Sequence, residues 1–519
     1  MKSVPSPGEK SSASLSSNSA KSELVQEAIE SLYQNGSQHN SNLSAKIHWQ
    51  HRLAKSTFLG IVSLCAPLLA STCSAADSTN AIAAPTTFQK PSWLTDLSLG
   101  VKECYDDNVY LSGVNPTSYV TPSGGVEALK DHSSWVTTVS PKLGFNFAPL
   151  LGDQNILQVL GLGYAPDFVI YHDADMESYN AHRFSGTVKG QVDDFSFGLE
   201  NSFNYIDGSK YGPNYSAGLS AYATGTLRER RDQYQDRSAI TLKYDQEKWF
   251  VRPTASLLYY DLNTEQLTAT PTTGGPGYQN YADRYDVNGG TDFGYKLNKD
   301  LTLTLGYRYG HQYQQAYSTV IDSHGQSSTS DYQRILLGIE GKPLSWLDVK
   351  IQGGPDFRSY DNSAPVSDYN PVKYYGDATL AAKLSKQDTL SFNYRQWQWV
   401  SSTGKVPYFD STYDLNYKHK FNDKLSANLE GRLLGSDYTS GLAVTGGSPG
   451  NYVGTTNTRN DLFYTVSAGV QYAFTVNFSA SLAYAYDLGR NAQDNLTAAT
   501  VAPREFDHQL ITLGAAYKF

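Results

Sequence analysis

The chain has 519 residues, of which 18% are charged and 39% hydrophobic, with a formal net charge of -9. No segment after residue 76 supplies the roughly 20 consecutive apolar residues of a spanning helix, which excludes a helical membrane bundle. The acidic balance argues against a nucleic-acid-binding protein, because such proteins need a basic field to neutralise phosphates. With 39 Tyr and 43 Gly, the composition favours strands and turns.

Three segments precede the first predicted strand. Residues 1–50 are rich in Ser, Asn and Gln, and we expect them to be a disordered polar extension. Residues 51–76 combine a basic start, an apolar run and a small-residue exit, which is the pattern of a secretory signal peptide. Fifty polar residues before a signal peptide are unusual, and either an upstream start codon or a long leading region would account for them. Residues 77–92 are expected to be a periplasmic linker, too short for a plug domain.

Residues 93–519 alternate in character with a period of two. Segment 301–309 has an apolar or aromatic residue at every odd position, and the terminal segment 511–519 repeats the pattern. Charged residues recur between the apolar ones in many segments, and charges repeated along one strand face need water. One face is therefore expected to meet lipid and the other a wet lumen.

The connections between predicted strands alternate between short and long. Eight tight turns and nine longer polar segments predict an all-β fold, a transmembrane antiparallel β-barrel of about 18 strands with short periplasmic turns and long extracellular loops. Sixteen strands stay possible if one hairpin is overcounted, and a soluble propeller or stack of sandwiches is the alternative fold. The predicted turns are 149–153, 192–195, 245–248, 297–300, 341–345, 385–388, 421–424 and 474–477.

Two short motifs in the first predicted hairpin resemble a known family. Residues 105–111 read Tyr-Asp-Asp-Asn-Val-Tyr-Leu, and residues 138–143 read Thr-Val-Ser-Pro-Lys-Leu. Together with the signal peptide, the hairpins and a terminal Phe519, they resemble the outer-membrane β-barrel porin family of Gram-negative bacteria, which is similar to outer-membrane proteins of exopolysaccharide loci. The resemblance implies an outer-membrane location, a pore, and recognition of the last strand, with Tyr517 and Phe519, by the barrel-assembly machinery.

Strand alternation also assigns charged side chains to the predicted lumen. Basic candidates outnumber acidic ones, so we expect a net basic wall with a weak anion preference. The alternative is that cross-strand pairing neutralises these charges and leaves no selectivity. The candidates are Lys142, Lys189, Lys243, Arg252, Arg308, Lys350, Arg358, Lys383, Arg395, Lys418 and Arg432, with the acidic Glu200, Asp292, Asp348, Asp377 and Glu430.

The preferred function is a channel for passive diffusion of small hydrophilic solutes, since a barrel of 16 to 18 strands leaves an aqueous lumen. A component of exopolysaccharide export or assembly is the second hypothesis, which the family resemblance permits. Trp397 and Trp399 alternate with glutamines and could both face the lumen, which would favour sugar handling. We favour the other interpretation of these rings, that they face lipid as girdle residues. The third hypothesis is a surface-loop binding protein that the barrel only anchors.

No enzymatic activity, cofactor or metal is predicted. The sequence has no His-Glu-x-x-His motif, no P-loop and no cysteine pair with metal-ligand spacing. The expected partners are outer-membrane lipid and lipopolysaccharide, the barrel-assembly machinery and small hydrophilic solutes, with no nucleic acid.

Overall fold

The architecture comes from a computed structural model of the chain. The predicted extension (1–50), the signal peptide (51–76) and nearly all of the linker (77–92) lie outside the residues that it describes. The structure describes residues 90–111, 118–120, 126–128, 132–152, 156–208, 215–216, 232–263, 283–315, 327–362, 364, 366, 368–400, 407–438, 459–493 and 506–519.

The described chain consists of strands and two short 3-10 helices, η1 (Ala148–Leu151) and η2 (Asp175–Glu177). The strands are β1 (Leu94–Asp106), β2 (Ser118–Val120), β3 (Val126–Ala128), β4 (Ser134–Asn146), β5 (Leu157–Tyr164), β6 (Asp167–Tyr171), β7 (Tyr179–Val192), β8 (Phe195–Asp207), β9 (Tyr215–Ser216), β10 (Gln233–Asp245), β11 (Trp249–Asp261), β12 (Arg284–Lys296), β13 (Leu301–Gln314), β14 (Ser330–Leu344), β15 (Leu347–Tyr360), β16 (Val372–Lys383), β17 (Asp388–Val400), β18 (Pro407–Lys420), β19 (Leu425–Tyr438), β20 (Arg459–Ala473), β21 (Phe478–Gln493) and β22 (Phe506–Lys518).

All strands except β2, β3 and β9 form one closed antiparallel sheet, and those three pair in a small sheet of their own. β5 and β6 are two halves of one crossing, because both pair with β4 on one side and with β7 on the other. Pro166 separates the halves, as expected for a residue that cannot donate to the sheet. The last strand β22 pairs with the first, β1, which closes the barrel. The prediction of about 18 strands is confirmed, and the count of 16 is wrong.

Seven of the eight predicted tight turns are confirmed as short connections on one side of the barrel, whereas the predicted turn at 149–153 falls in a longer connection between β4 and β5 that contains η1 and lies partly outside the described residues. The turn between β7 and β8, for example, consists of Asp193 and Asp194, and residues 474–477 connect β20 to β21. β1 begins on this same side, since Ser98 lies opposite Lys518 near the end of β22. The longer connections lie at the opposite ends of the strands, and most of their residues are outside the described ranges. We call the two ends the tight-turn side and the loop side.

The strand alternation separates an apolar outer face from a polar inner face. On β13, Leu305 is 52% exposed and Leu303 and Tyr307 are also exposed, whereas Arg308 points to the other face and contacts Asp292. Exposed apolar side chains repeat in this phase on neighbouring strands and form a continuous band, which a water-soluble surface rarely carries. The chain is therefore a transmembrane antiparallel β-barrel, and the soluble alternatives are wrong. Within the described ranges, no helix has the length and apolar character needed to cross a membrane.

Candidate functional site

The cross-strand register decides which side chains share the inner face. Arg252 lies opposite Asp292, Asp292 lies opposite Gly306, and Arg308 lies opposite Arg334, all in the phase opposite to the apolar band. Followed around the barrel, this register places all sixteen predicted pore-lining residues on the inner face. That they contact a passing solute stays a prediction.

Many of the predicted basic residues are neutralised by acids. Arg252 donates to both Glu340 oxygens at 3.0 Å and to Asp292 at 3.1 Å, and Arg308 lies 2.7 Å from the other Asp292 oxygen. Asp292 comes from β12, next to both β11 and β13, whereas Glu340 reaches Arg252 from β14, so the alternative of charge neutralisation by acids on other strands applies to this part of the wall. Further ion pairs join Lys142 to Asp96, Lys189 to Glu200, Lys243 to Asp245, Arg358 to Asp356, and Arg432 to Asp414 and Glu430.

Other predicted residues keep an unbalanced charge. Within the described part of the chain, Lys350, Lys383 and Lys418 form no ion pair within 4.0 Å. Lys383 on β16 and Lys418 on β18 both lie opposite Thr389 of β17, which is between them, near the tight-turn side of the barrel. The inner wall therefore has a balanced sector and a basic region close to one mouth.

The loop-side end of β17 leaves the barrel wall. Pairing between β16 and β17 ends at Gln396, whereas pairing between β17 and β18 continues to Val400. Trp397, Trp399 and Val400 pack against Leu258 and Tyr260 of β11, although five strands lie between β11 and β17 in the sheet. Residues 397–400, which we call the crossing segment, therefore extend across the lumen.

The interpretation of the two tryptophans as lipid-facing girdle residues is wrong. Trp397 is 7% exposed and Trp399 is 3% exposed, and both rings contact groups of the inner face. Both tryptophans follow the odd-numbered phase of Arg395, which was predicted to face the lumen, so consistent use of the strand period would have placed both rings on the inner face.

Side chains from three other strands hold the crossing segment in place. Arg284 Nη1 on β12 donates to the Val400 carbonyl at 2.7 Å. The Gln398 carbonyl accepts from Gln312 Nε2 on β13 at 2.9 Å and from Arg358 Nη2 on β15 at 3.2 Å. Since β16 no longer pairs with this segment, these side chains satisfy backbone carbonyls that a neighbouring strand would otherwise satisfy.

The aromatic rings form a stack with a guanidinium at each end, which we call the Arg–Trp stack. The rings of Trp397 and Trp399 are nearly parallel, at 19°, with their centroids 4.6 Å apart. Arg395 lies 4.1 Å from the Trp397 centroid, and Arg284 lies 5.1 Å from that of Trp399. Both outer ring faces are therefore covered by cations, in a contact that strengthens when water is excluded.

Beside the stack, buried acids hold two further arginines. Asp356 is 1% exposed, and its Oδ2 accepts from Arg334 Nε at 2.8 Å and from Arg358 Nη2 at 3.2 Å. The Arg334 guanidinium lies 4.0 Å from the centroid of the Tyr332 ring, whose hydroxyl is 3.0 Å from both Asp286 oxygens. We call Arg284, Arg334, Arg358 and Arg395, with Asp286 and Asp356, the arginine cluster.

A glycine makes room for this arrangement. Gly310 lies opposite Tyr332, and a Cβ at this position would overlap the tyrosine ring. A larger residue at 310 would displace the ring that separates Asp286 from the arginines. The local sequence thus permits the close approach of β13 to the cluster.

Sequence reasoning missed most of the cluster. Only Arg358 and Arg395 were predicted to line the pore, although Arg284, Asp286 and Arg334 follow the same even-numbered phase as Asp292 and Arg308. Extending that phase to the loop-side ends of β12, β14 and β15 would have identified the acids as well. Nothing in the phase shows that these residues meet a strand from another part of the wall.

None of the protein-family models searched matches the sequence, and no curated protein matches it significantly. Solved structures with a similar shape include OccK1 (OpdK) from Pseudomonas aeruginosa, with 11% identity and a TM-score of 0.37, covering 82% of this chain and 100% of that one. The siderophore receptor PirA from Acinetobacter baumannii has 10% identity and a TM-score of 0.38, covering 82% of this chain and 81% of that one.

Proposed function

We propose that this chain is an outer-membrane channel for the passive diffusion of small hydrophilic solutes. The observation that carries the proposal is the closed 18-strand wall whose inner face is charged and polar. A barrel of this size leaves an aqueous lumen, and the crossing segment narrows that lumen at one level. Solutes would then be selected by width and by the charges at the narrowed level.

We further propose a weak anion preference. Arg252, Arg308 and Arg358 are balanced by acids and supply little net field. Lys350, Lys383 and Lys418 retain their charge and would attract anions near the tight-turn side, which we assign to the periplasm. The preference is expected to weaken as salt screens these exposed charges.

Single-channel recording across planar bilayers tests both statements. We expect the mature protein to give discrete conductance steps in KCl. In a KCl gradient, we expect the reversal potential to have the same sign as the equilibrium potential of chloride. A reversal potential of the opposite sign would contradict the anion preference. If the folded protein gives no conductance at all, the barrel is an anchor for surface loops and the channel proposal fails.

Exopolysaccharide export is the second candidate, and the position of Trp397 and Trp399 inside the barrel favours it. However, Arg284 and Arg395 cover the outer faces of the two rings, so neither ring offers a free face for sugar stacking in this arrangement. Transfer of a polysaccharide would first require the stack to open. Diffusion of small solutes needs no such opening, and we therefore prefer it.

Targeting and assembly are proposed from the two ends of the chain. Residues 51–76 would direct export as a signal peptide, and lipid with lipopolysaccharide would surround the apolar band. Tyr517 and Phe519 lie on the outer face at the tight-turn side, with ring centroids 4.9 Å apart, and Phe519 N donates to the Leu97 carbonyl at 2.9 Å. We propose that these exposed rings are the signal that the barrel-assembly machinery recognises.

A further inference from the structure

The arginine cluster and the crossing segment contain buried polar atoms that have no hydrogen-bond partner among the described residues. A buried polar group without a partner is unfavourable, and folded proteins leave few of them. Here they are concentrated at one place on the inner face, within an otherwise closely paired network. The atoms are Arg284 Nε, Arg334 Nη2, Arg358 Nε, Arg395 Nε, Asp356 Oδ1 and Gln398 Oε1.

The chemistry of these atoms defines what could complete the site. Four are guanidinium N–H donors, which favour an acceptor that carries negative charge. Asp356 Oδ1 and Gln398 Oε1 are acceptors, and each needs a donor. An inorganic anion without hydroxyl groups would leave both acceptors without a partner, and a cation would leave the four guanidinium donors without an acceptor.

From this pattern we propose that the arginine cluster binds a small solute that carries a carboxylate together with hydroxyl groups. The carboxylate accepts from free guanidinium N–H groups on the Arg395 side of the Arg–Trp stack, because Arg284 lies at the opposite end and one carboxylate cannot reach both, and the hydroxyls donate to Asp356 Oδ1 and Gln398 Oε1. This inference rests on the proposed channel function, since it names the class of solute that the channel recognises at its narrow level.

The surrounding acids position the arginines without using all of their donors. Asp356 uses one oxygen for Arg334 and Arg358, and Asp286 is engaged by Tyr332. Asp377 lies opposite Arg395, and Asp410 lies opposite Trp397, so acids also face the cluster from β16 and β18. Net charge alone therefore does not attract the solute, and recognition depends on the free donors and acceptors.

Binding of the solute would also change the surroundings of the Arg–Trp stack. Arg284 and Arg395 stand at its two ends, and both have an unpartnered Nε. A carboxylate that takes the Arg395 donor must contact a guanidinium already lying against an indole ring. Occupation of the site should therefore change the fluorescence of Trp397 and Trp399.

The test measures binding to the mature full-length protein in detergent by calorimetry and by tryptophan fluorescence. Gluconate is the probe, acetate supplies a carboxylate without hydroxyls, and sorbitol supplies hydroxyls without a carboxylate, all at matched ionic strength. We expect saturable gluconate binding, at least tenfold weaker acetate binding and no response to sorbitol.

Arg395→Lys keeps the charge but removes Nε, and should weaken gluconate binding about tenfold. Arg432→Lys, at an inner-face arginine paired with Asp414 outside the cluster, is the matched control and should leave binding unchanged.

KCl conductance of the same preparations separates this inference from the proposed function. Normal conductance without gluconate binding means that the unpartnered atoms hold only water, and overturns the inference while the channel stands. Equal responses to gluconate and acetate indicate a nonspecific anion effect and also overturn it. Saturable gluconate binding without KCl conductance supports the binding site and contradicts the proposed channel function.

Discussion

Among the described residues of the inner face, the polar cluster at the barrel seam and the arginine cluster differ in how completely their atoms are paired. At the seam where β1 meets β22, the His508 ring nitrogens lie 3.1 Å from Asp106 Oδ1 and 2.9 Å from Asp487 Oδ2. Thr465 donates to the remaining Asp487 oxygen at 2.7 Å. Among the described residues, this seam cluster has no unpartnered buried side-chain atom, whereas the arginine cluster with its crossing segment has six. The buried polar atoms of the seam are therefore paired within the protein, whereas the arginine cluster leaves donors and acceptors for the solute proposed above.

The seam also explains the motif at residues 105–111. Asn108 Nδ2 donates to the Asp507 carbonyl at 2.8 Å, and the Gln509 N–H donates to Asp107 Oδ1 at 2.6 Å. Val109 and Tyr110 are buried in an apolar cluster with side chains of β4 and β6. The motif therefore joins the first strand to the last at the loop side, across about four hundred residues of sequence.

Replacing Asp356 with Ala should give the largest loss of stability, since it leaves Arg334 and Arg358 buried without their shared carboxylate. Removing one partner of a buried ion pair costs about 3–5 kcal/mol. The measurement is the urea concentration at which the folded barrel unfolds. Asp348→Ala is the control, because its pair with Lys342 is exposed and 3.8 Å long, and it should cost below about 1 kcal/mol. Equal losses for both variants would show that the cluster is not a buried network.

Trp399→Ala should both destabilise the protein and enlarge the pore. Truncating a buried aromatic costs about 3 kcal/mol or more, and the crossing segment would lose its contact with Arg284 and β11. We expect a higher single-channel conductance than that of the unmodified protein. Leu337→Ala, at an exposed position of the outer face, should leave conductance unchanged. A conductance that stays constant in Trp399→Ala means that the segment does not limit the flow.

His508→Ala tests the seam alone. It removes the partner of Asp106 and Asp487, with an expected cost of about 2 kcal/mol, in the range for a hydrogen bond to a charged group. Thermal unfolding measures this loss, and conductance and gluconate binding should not change because the arginine cluster is elsewhere on the wall. A change in gluconate affinity would contradict the separation of the two clusters.

Lys383→Gln combined with Lys418→Gln should have the smallest effect. The two charges are unpaired in the described structure and lie near the tight-turn side, so the anion preference should fall by less than about twofold in permeability ratio. Lys142→Gln is the matched control, because the Lys142 ammonium is paired with Asp96 at 2.9 Å. This substitution should shift the selectivity less. The reversal potential in a KCl gradient measures both. A larger shift of the reversal potential in Lys142→Gln would mean that pairing with an acid does not reduce the effect of a wall charge on selectivity.

Most of the barrel could be predicted from residue types along single strands. The turns, the strand number and the inner position of residues such as Arg308 follow from a period of two and from short polar connections. A strand exposes alternate side chains on opposite faces, so local sequence alone decides which face can meet lipid. Partner choice is less local, because the position of Asp292 opposite Arg252 depends on the register between strands.

The sequence by itself determined that this chain is a barrel with an apolar outer face and a charged inner face. Only the tertiary structure decided that β17 leaves β16 after Gln396, that Trp397 and Trp399 pack against β11, and that Arg284 reaches Val400. The physical reason is that alternation is a property of each strand, whereas these contacts require closure of the sheet and an inward bend that brings residues about 116 positions apart together.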